Sequence, residues 1–535
     1  MAEISEDNNT LQDSHITQNT YAISNINPIH PVSSQDHRIS ILISSPNPKS
    51  VSYPEVINSS KTYDKVSTVT CSEDEANSTI SKKTNQEPED WKENIKGLEV
   101  LSNPDPVIKP ITRFTTWFTP YRKIFTLVVL INLVGCILEL TGVWKWANKN
   151  LTTLVVGNTC VAILIRNEWF IRFLYWFSVK VFRPAIFPVW LRAKVVGIIY
   201  HIGGLHSGCG FSAFLWILVA NYRYFSHVKT YHPIVIISLA ICAGCILLTC
   251  ATAFPVVRGA YHNLFELIHR FVGWFGILWT FIFIIVSNSW DSNSNQWDTS
   301  TERLIIHPEL WFLVSIFLFI ISSWITTSNV PVQILTSSDK ASVIRVPGGL
   351  TSGLHTRISK GGLQEWHIFG SISEGKHSEC HYIVIAVQGK FTKMLNVEKP
   401  QKLYTKTWKP CGLPYFSRMF NKGVAICTGS GIGAVGSTCI QHDDWYLIWI
   451  GPDLEKTYGK EIMGLICDKI SPDRRLIWDT RSPLGRPNVF QLLQHVYKTW
   501  NAEVALFIGS PALNKQVLES SRALNLPVFG SIWDA

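Results

Sequence analysis

A chain of 535 residues with 46% hydrophobic residues, a mean hydropathy of +0.14 and a formal net charge of +9 is too apolar for an ordinary soluble protein and too long for one small domain. The charge is uneven: residues 1–100 carry 8 Lys/Arg against 15 Asp/Glu, which leaves +16 on the remainder. Those basic residues flank apolar segments, which argues against a nucleic-acid partner and for a lipid bilayer.

Residues 1–105 are rich in Ser, Asn, Thr and acidic residues without periodicity, which predicts a disordered cytosolic tail. No signal-peptide pattern opens it, so the first membrane segment is expected to direct insertion. Six apolar segments follow: Ile124–Trp144, Leu151–Ile165, Val195–Ala220, Pro233–Phe254, Leu264–Val286 and Leu310–Trp324. They predict a six-helix, multi-pass membrane domain over residues 106–328. Lys and Arg cluster before the first segment and between the second and third, and the loop Ser287–His307 has one Arg and no Lys. The positive-inside rule then places both termini in the cytosol. Trp169–Phe182 is aromatic with spaced basic residues and predicts a helix lying in the inner interface rather than another crossing. Cys242-x-x-Cys245 stands in an apolar run with no second pair and does not read as a metal site.

Beyond Trp324 the composition changes. Short strand-like runs alternate with Gly-rich turns and predict a small antiparallel β-barrel over 329–420. From Lys422 the order becomes strand, glycine loop, helix, strand, which predicts a parallel α/β domain over 421–535. Its first turn, Thr428-Gly-Ser-Gly-Ile-Gly433, suits a nucleotide: glycines let the backbone approach a pyrophosphate, and the helix N-terminus that follows favours its charge.

Other stretches join the glycine loop in a recognisable order: Glu365-Trp-His-Ile-Phe-Gly-Ser371, Cys411-Gly-Leu-Pro-Tyr-Phe416, Gly485-Arg-Pro487 and Gly509-Ser-Pro511. The order resembles the ferredoxin-reductase-like FAD and NAD(P)H modules of ferric reductases and NADPH oxidases. The resemblance implies that His367, Phe369 and Ser371 line a flavin, and that Gly412, Pro414 and Tyr415 lie near its pyrophosphate. It implies that Thr428, Gly429, Gly431 and Gly433 take the nicotinamide nucleotide with help from Arg486, and that Trp533 stacks on the flavin. The chain departs from the family at Ile368, where proline is usual, at Leu413, which interrupts a Gly-Pro-Tyr pattern, and at Ile508, where a cysteine is usual near the nicotinamide. Gly157–Glu168, Gly203–Cys209 and Phe265–Trp274 resemble fungal TmpA-type membrane flavoproteins, and the membrane and reductase half of fungal adenylating, nonribosomal-peptide-synthetase-like proteins. This likeness covers residues 110–535.

The histidines of the third and fifth segments bear on electron transfer. Ferric reductases and NADPH oxidases stack two haems on histidine pairs 13–14 residues apart. Here His201 and His206, and His262 and His269, stand 5 and 7 apart, about 7.5 and 10.5 Å along a helix. Two stacked haems are excluded on spacing. One haem on His206 and His269 stays open, beside a polar network of His201, His206, His262, Glu266 and His269 that holds two helices or binds a substrate. The sequence thus reads as a membrane flavin oxidoreductase passing electrons from NAD(P)H through FAD to a small-molecule acceptor in the cytosolic half of the bilayer. Its alternatives are a single-haem reductase or oxidase and a non-enzymatic nucleotide-binding sensor.

Overall fold

A computed structural model describes residues 105–531, Leu363 apart. The predicted tail and Trp533 lie outside the described residues. Among these residues five helices are long and apolar enough to cross a membrane: α1 (Pro120–Leu140), α5 (Gly203–Ser226), α6 (Pro233–Ala253), α7 (His262–Ser289) and α8 (Pro308–Ile325). The second predicted span is different. α2 (Leu151–Leu164) has 14 residues, about 21 Å at 1.5 Å per residue, and is followed by α3 (Glu168–Phe182) at a bend of 67°. Counting that bent pair as one span gives six.

Asn167 makes the bend. Its Oδ1 accepts from the backbone N–H groups of Trp169 and Phe170, capping α3. Its Nδ2 donates to Phe319 O and Ser322 Oγ on α8, which holds the corner in the bundle.

The third predicted segment also breaks. α4 (Val189–Tyr200) ends at His201, and the span proper begins at Gly203. Glycine is required there: a Cβ on Gly204 would lie 2.3 Å from Tyr121 O, so α5 starts with its backbone against α1. Farther along, Trp216 is buried and donates to Asn132 Oδ1. At the end of the bundle away from the soluble part, buried Glu139 pairs with Arg223 at 2.8 Å. Buried Glu309 accepts from Thr153 and Asn288. Buried charges persist only where they are paired in this way.

α8 ends at Ile325, and β1 (Thr327–Pro331) begins two residues later. The predicted barrel resolves into two four-stranded antiparallel sheets, not one closed cylinder. The first has the order β1, β8 (Lys402–Lys406), β4 (Thr356–Ser359), β5 (His367–Phe369). The second has the order β2 (Gln333–Ser337), β3 (Ala341–Pro347), β7 (Cys380–Ala386), β6 (Ser371–Ile372). The chain crosses between sheets at Val332, between β1 and β2, and at Gly370, between β5 and β6, as corner strands of orthogonal packings do. Ile344, Val346, Ile358, Phe369, Ile383 and Leu395 fill the space between.

The last unit is a five-stranded, wholly parallel sheet: β11 (Arg475–Asp479), β10 (Trp445–Gly451), β9 (Gly423–Thr428), β12 (Val504–Ile508), β13 (Val528–Gly530). The strand direction of travel reverses at β9, the first strand, and α9 (Ile432–Gln441) follows it. Its strands are near-continuous apolar runs because helices cover both faces.

Replacing Gly204 by valine is expected to cost about 2–4 kcal/mol by forcing α1 from α5. Thermal unfolding in detergent micelles measures it. Gly210→Ala, where the added Cβ meets nothing within 4 Å, should leave the unfolding temperature nearly unchanged.

Candidate nucleotide site and the seam beside it

In a doubly wound sheet, ligands bind outside the carboxyl ends of the strands, where the order reverses. That point lies between β9 and β12, and Thr428–Gly433 leaves β9 there. Gly429 has φ +56°, the left-handed region, and its carbonyl accepts from Trp449 Nε1 at 2.9 Å. A Cβ on Gly431 would lie 2.8 Å from Ile508 O, so the loop crosses the end of β12 with no room for a side chain. Thr428, Gly429 and Ser430 remain half-exposed, whereas Gly431 through Cys439 are buried. The open part of the loop is thus its first turn, directly before α9. Arg486 is exposed after β11 on the same edge of the sheet, behind Gly485 at φ +63°. Arg481, nearby in sequence, pairs with Asp453 at 3.2 Å.

The third glycine does something else. A Cβ on Gly433 would lie 3.1 Å from Gly370 O, and one on Gly370 would lie 2.4 Å from Ala434 N. Backbone meets backbone, and α9 rests directly on the corner between β5 and β6. Ser437 Oγ donates to Ser371 O and accepts from Ser373 N, both at 2.8 Å. Gln441 donates to Leu350 O and Ser373 O and accepts from Ser352 N. Antiparallel and parallel units are joined here along a buried hydrogen-bonded seam.

Strand parity decides where the expected flavin residues point. His367, Phe369 and Ser371 share one face, and that face turns inward. The His367 ring lies 4.2 Å from Phe391, and Phe369 sits in the core between the two sheets. Ser371 Oγ donates to Thr356 Oγ1 at 2.8 Å. Thr356 bonds His381 Nε2 at 2.9 Å, and His381 Nδ1 donates to Gly348 O at 2.5 Å. The residues that face the other way are Ile368 and Gly370, with His355 and Arg357 on the neighbouring strand side. The motif reading assigned no role to Gly370, His355 or Arg357. Phe369 lies on one face and Ile368 and Ile372 on the other, so both faces are apolar and alternation alone gives no direction.

Gly412, Pro414 and Tyr415 do come to the seam. The His355 ring covers Gly412, where a Cβ would lie 1.8 Å from Nε2. Gly353, at φ +78°, presses its backbone on Tyr415 N. Arg418 stacks over the Tyr415 ring at 4.3 Å. Between these groups lies a cavity bounded by Tyr175, Tyr200, His355, Gly412, Ala434 and Ile508, with about 20 Å³ of room at the scale of a water centre. That suffices for about one water. This cavity, as it stands, does not hold a flavin ring.

Among the long apolar helices, His206 and His269 do come together, with ring centres 6.3 Å apart and planes at 66°. His206 Nδ1 is held on Ala162 O at 2.8 Å. The fixed imidazole pair is a donor set that haem iron accepts. Neither this cavity nor an apolar one of about 170 Å³ between α7 and α8 is lined by either ring. His201 bonds back to Gly197 O in its own helix and serves as a local cap.

A family model described as "Adenylate-forming reductase 03009, C-terminal domain" matches residues 413–535. Two proteins of Coprinopsis cinerea are similar over more of the chain. Adenylate-forming reductase 06235 is 29% identical over 433 residues, and adenylate-forming reductase 03009 is 27% identical over 432. Each alignment covers 78% of this chain and 40% of the relative. The chain therefore spans about 40% of the length of these relatives. Among solved structures, the ferredoxin reductase in carbazole 1,9a-dioxygenase gives a TM-score of 0.31 at 14% identity, covering 38% of this chain and 69% of that one. Phthalate dioxygenase reductase gives 0.31 at 8%, covering 38% and 68%. Both scores are low.

Burial pushes the imidazoles of His355 and His381 down, to about 3 and about 4. Both are neutral in the folded state near neutral pH. Below the ordinary value of about 6.5 the unfolded chain binds the extra protons, so stability is complete above that pH and falls as the medium acidifies towards about 4, by roughly 1.4 kcal/mol per pH unit for each group. Thermal unfolding from pH 7.5 to 4.5 should show this loss, and His381→Gln should flatten the slope.

Proposed function

We propose that this chain is the NAD(P)H-accepting part of a membrane-bound oxidoreductase. The nucleotide's pyrophosphate sits on the Thr428–Ser430 turn, and the electron acceptor is a small molecule met in the cytosolic half of the bilayer, near His206 and His269. One observation carries the reading: the glycine turn is open at the carboxyl end of β9, where the sheet order reverses. The naming of both relatives as reductases supports it, as does the match over residues 413–535. A bound nicotinamide supplies a hydride. The chain's own residues do the rest. Gly429 in the left-handed region brings backbone N–H groups to the phosphates, the N-terminus of α9 adds its dipole, and Arg486 adds positive charge on the same sheet edge. Ile508, at the end of β12, offers only an apolar contact where a nicotinamide would approach.

The seam cavity as it stands has no room for the flavin implied by the sequence resemblance. The same closure favours a second reading, a nucleotide-binding membrane sensor without turnover. The two separate in one experiment. Ser430→Glu places a negative charge beside the pyrophosphate and is expected to weaken NADPH binding by about tenfold or more, measured by nucleotide fluorescence on the full chain in micelles. Ser430→Ala should bind as the parent does. An oxidoreductase then oxidises NADPH when ferricyanide is supplied, and a sensor binds the nucleotide without consuming it. If Ser430→Glu binds NADPH unchanged, the site is wrong.

A further inference from the structure

Two helices pack on the soluble part from outside it. α3 leaves α2 at the 67° bend, and α4 returns the chain to α5. Their inner face is committed. Tyr175 stacks on Phe416 with centres 4.4 Å apart, and Trp169 stacks on Trp408 at 4.3 Å. Glu168 pairs with Arg357 at 2.7 Å.

The outer face has no partner of this kind. Phe173, Trp176, Phe177, Lys180 and Val181 are exposed and fall at i, i+3, i+4, i+7 and i+8, one stripe of a helix. Phe173 meets Trp176 and Phe177 at ring-centre distances of 6.0 and 5.9 Å, so the apolar part of the stripe is continuous. The turn after α3 adds Ile186, 83% exposed, and α4 adds Trp190, 59% exposed. Rings grouped on a surface in this way mark a binding face.

Charge says what binds. From Asn167 to Tyr200 the basic residues are Arg172, Lys180, Arg183, Arg192 and Lys194, and the one acidic residue is Glu168. Arg172 donates to Lys409 O, and Arg192 donates to Met419 O and pairs with Glu503, so both turn inward with Glu168. Lys180, Arg183 and Lys194 stay exposed, and no carboxylate pairs with them among the described residues. Lys180 Nζ lies 5.1 Å from the Trp176 ring centre, and Lys194 Nζ lies 4.8 Å from that of Trp190. Cation and indole thus stand side by side, as they do at the level of lipid headgroups. The core of a protein interface is poor in lysine, and a second copy seated on this face would bring like cations together. The location agrees. α8 runs into β1 across one residue, so the soluble part and the hairpin packed on it lie where the long helices would leave a bilayer.

We propose that the outer face of α3 and α4 docks on acidic phospholipid headgroups of the adjoining leaflet. Phe173, Trp176 and Phe177 enter the interface, and Lys180, Arg183 and Lys194 meet the anionic groups. The inference rests on the reading that the long apolar helices span a bilayer. It gives the reductase part a second hold on the membrane, made by side chains.

The test uses the full chain in vesicles of phosphatidylcholine with or without phosphatidylserine. Resistance to alkaline carbonate first establishes insertion. Electron paramagnetic resonance of spin-labelled lipids then compares the two headgroups at the protein surface. The parent is expected to prefer phosphatidylserine by about threefold or more at low salt, and to lose the preference near about 1 M salt. Lys180→Gln/Arg183→Gln/Lys194→Gln should lose most of it with its unfolding temperature unchanged. Lys456→Gln/Lys515→Gln, exposed in the parallel unit, should retain it. Acetylation of Lys180 and Lys194, read by mass spectrometry, should slow when phosphatidylserine is present, with Lys515 unaffected. An undiminished preference in the triple variant overturns the proposal. So does protection of Lys180 that follows the protein-to-lipid ratio and not the headgroup, which would assign the face to a second copy. Release of the chain by carbonate overturns the membrane reading and the proposal with it, whereas an inserted chain without headgroup preference overturns the proposal alone.

Discussion

Gly370 against Gly433 is the contact on which the soluble part depends. Two backbones touch where any side chain would collide, and this lets α9 lie flat on the second antiparallel sheet. Everything near the candidate site follows from that approach. It fixes the angle at which β9 delivers its glycine turn to the sheet edge. It sets the spacing that Ser437 and Gln441 bridge with buried hydrogen bonds. It also leaves between the units only the narrow space that Tyr175 and Tyr200 border. One glycine loop thus has two jobs: its first residues stay partly accessible, and its third glycine is a joint.

The division between what the sequence discloses and what it hides follows the range of the interactions. The parallel sheet was legible because its strands are long apolar runs and its first turn is glycine-rich, both local signals. The long apolar helices were legible for the same reason. Two helix breaks were not. The corner at Asn167 depends on Ser322 and Phe319, more than 150 residues away, and the start of α5 at Gly203 depends on the backbone of Tyr121. In the site, the glycine turn stood where expected, and Gly412, Pro414 and Tyr415 reached the seam. The facing of His367, Phe369 and Ser371 did not follow from the motif. It is set by which side of β5 and β6 meets Phe391, and both sides of that strand are apolar.

His355 shows the same limit from the other side. Nothing in Leu354-His355-Thr356 marks the histidine, since a lone His beside a strand is commonplace. It becomes conspicuous only once Gly412 is seen beneath its ring. His206 and His269 are the reverse case. Their pairing was readable from two apolar segments that each opened with histidines, and the rings stand 6.3 Å apart. Helical periodicity carries across a bundle more faithfully than strand parity carries across a corner.

The join between α8 and β1 has a mechanical consequence. Only Thr326 separates Ile325 from the first strand, and its carbonyl accepts from Thr407 N at 2.7 Å. Lys406 Nζ donates to Ser323 O and Thr327 Oγ1, tying the strand to the last turn of the helix. There is no swivel here. α8 has 18 residues, about 27 Å of rise, slightly short of a typical hydrocarbon thickness of about 30 Å. Were the helix to span a bilayer, any tilt imposed on it would become the same tilt of the β-sheets, as a shaft turns a wheel keyed to it. Relative movement between the two halves of the molecule then falls to the elements fastened by side chains alone.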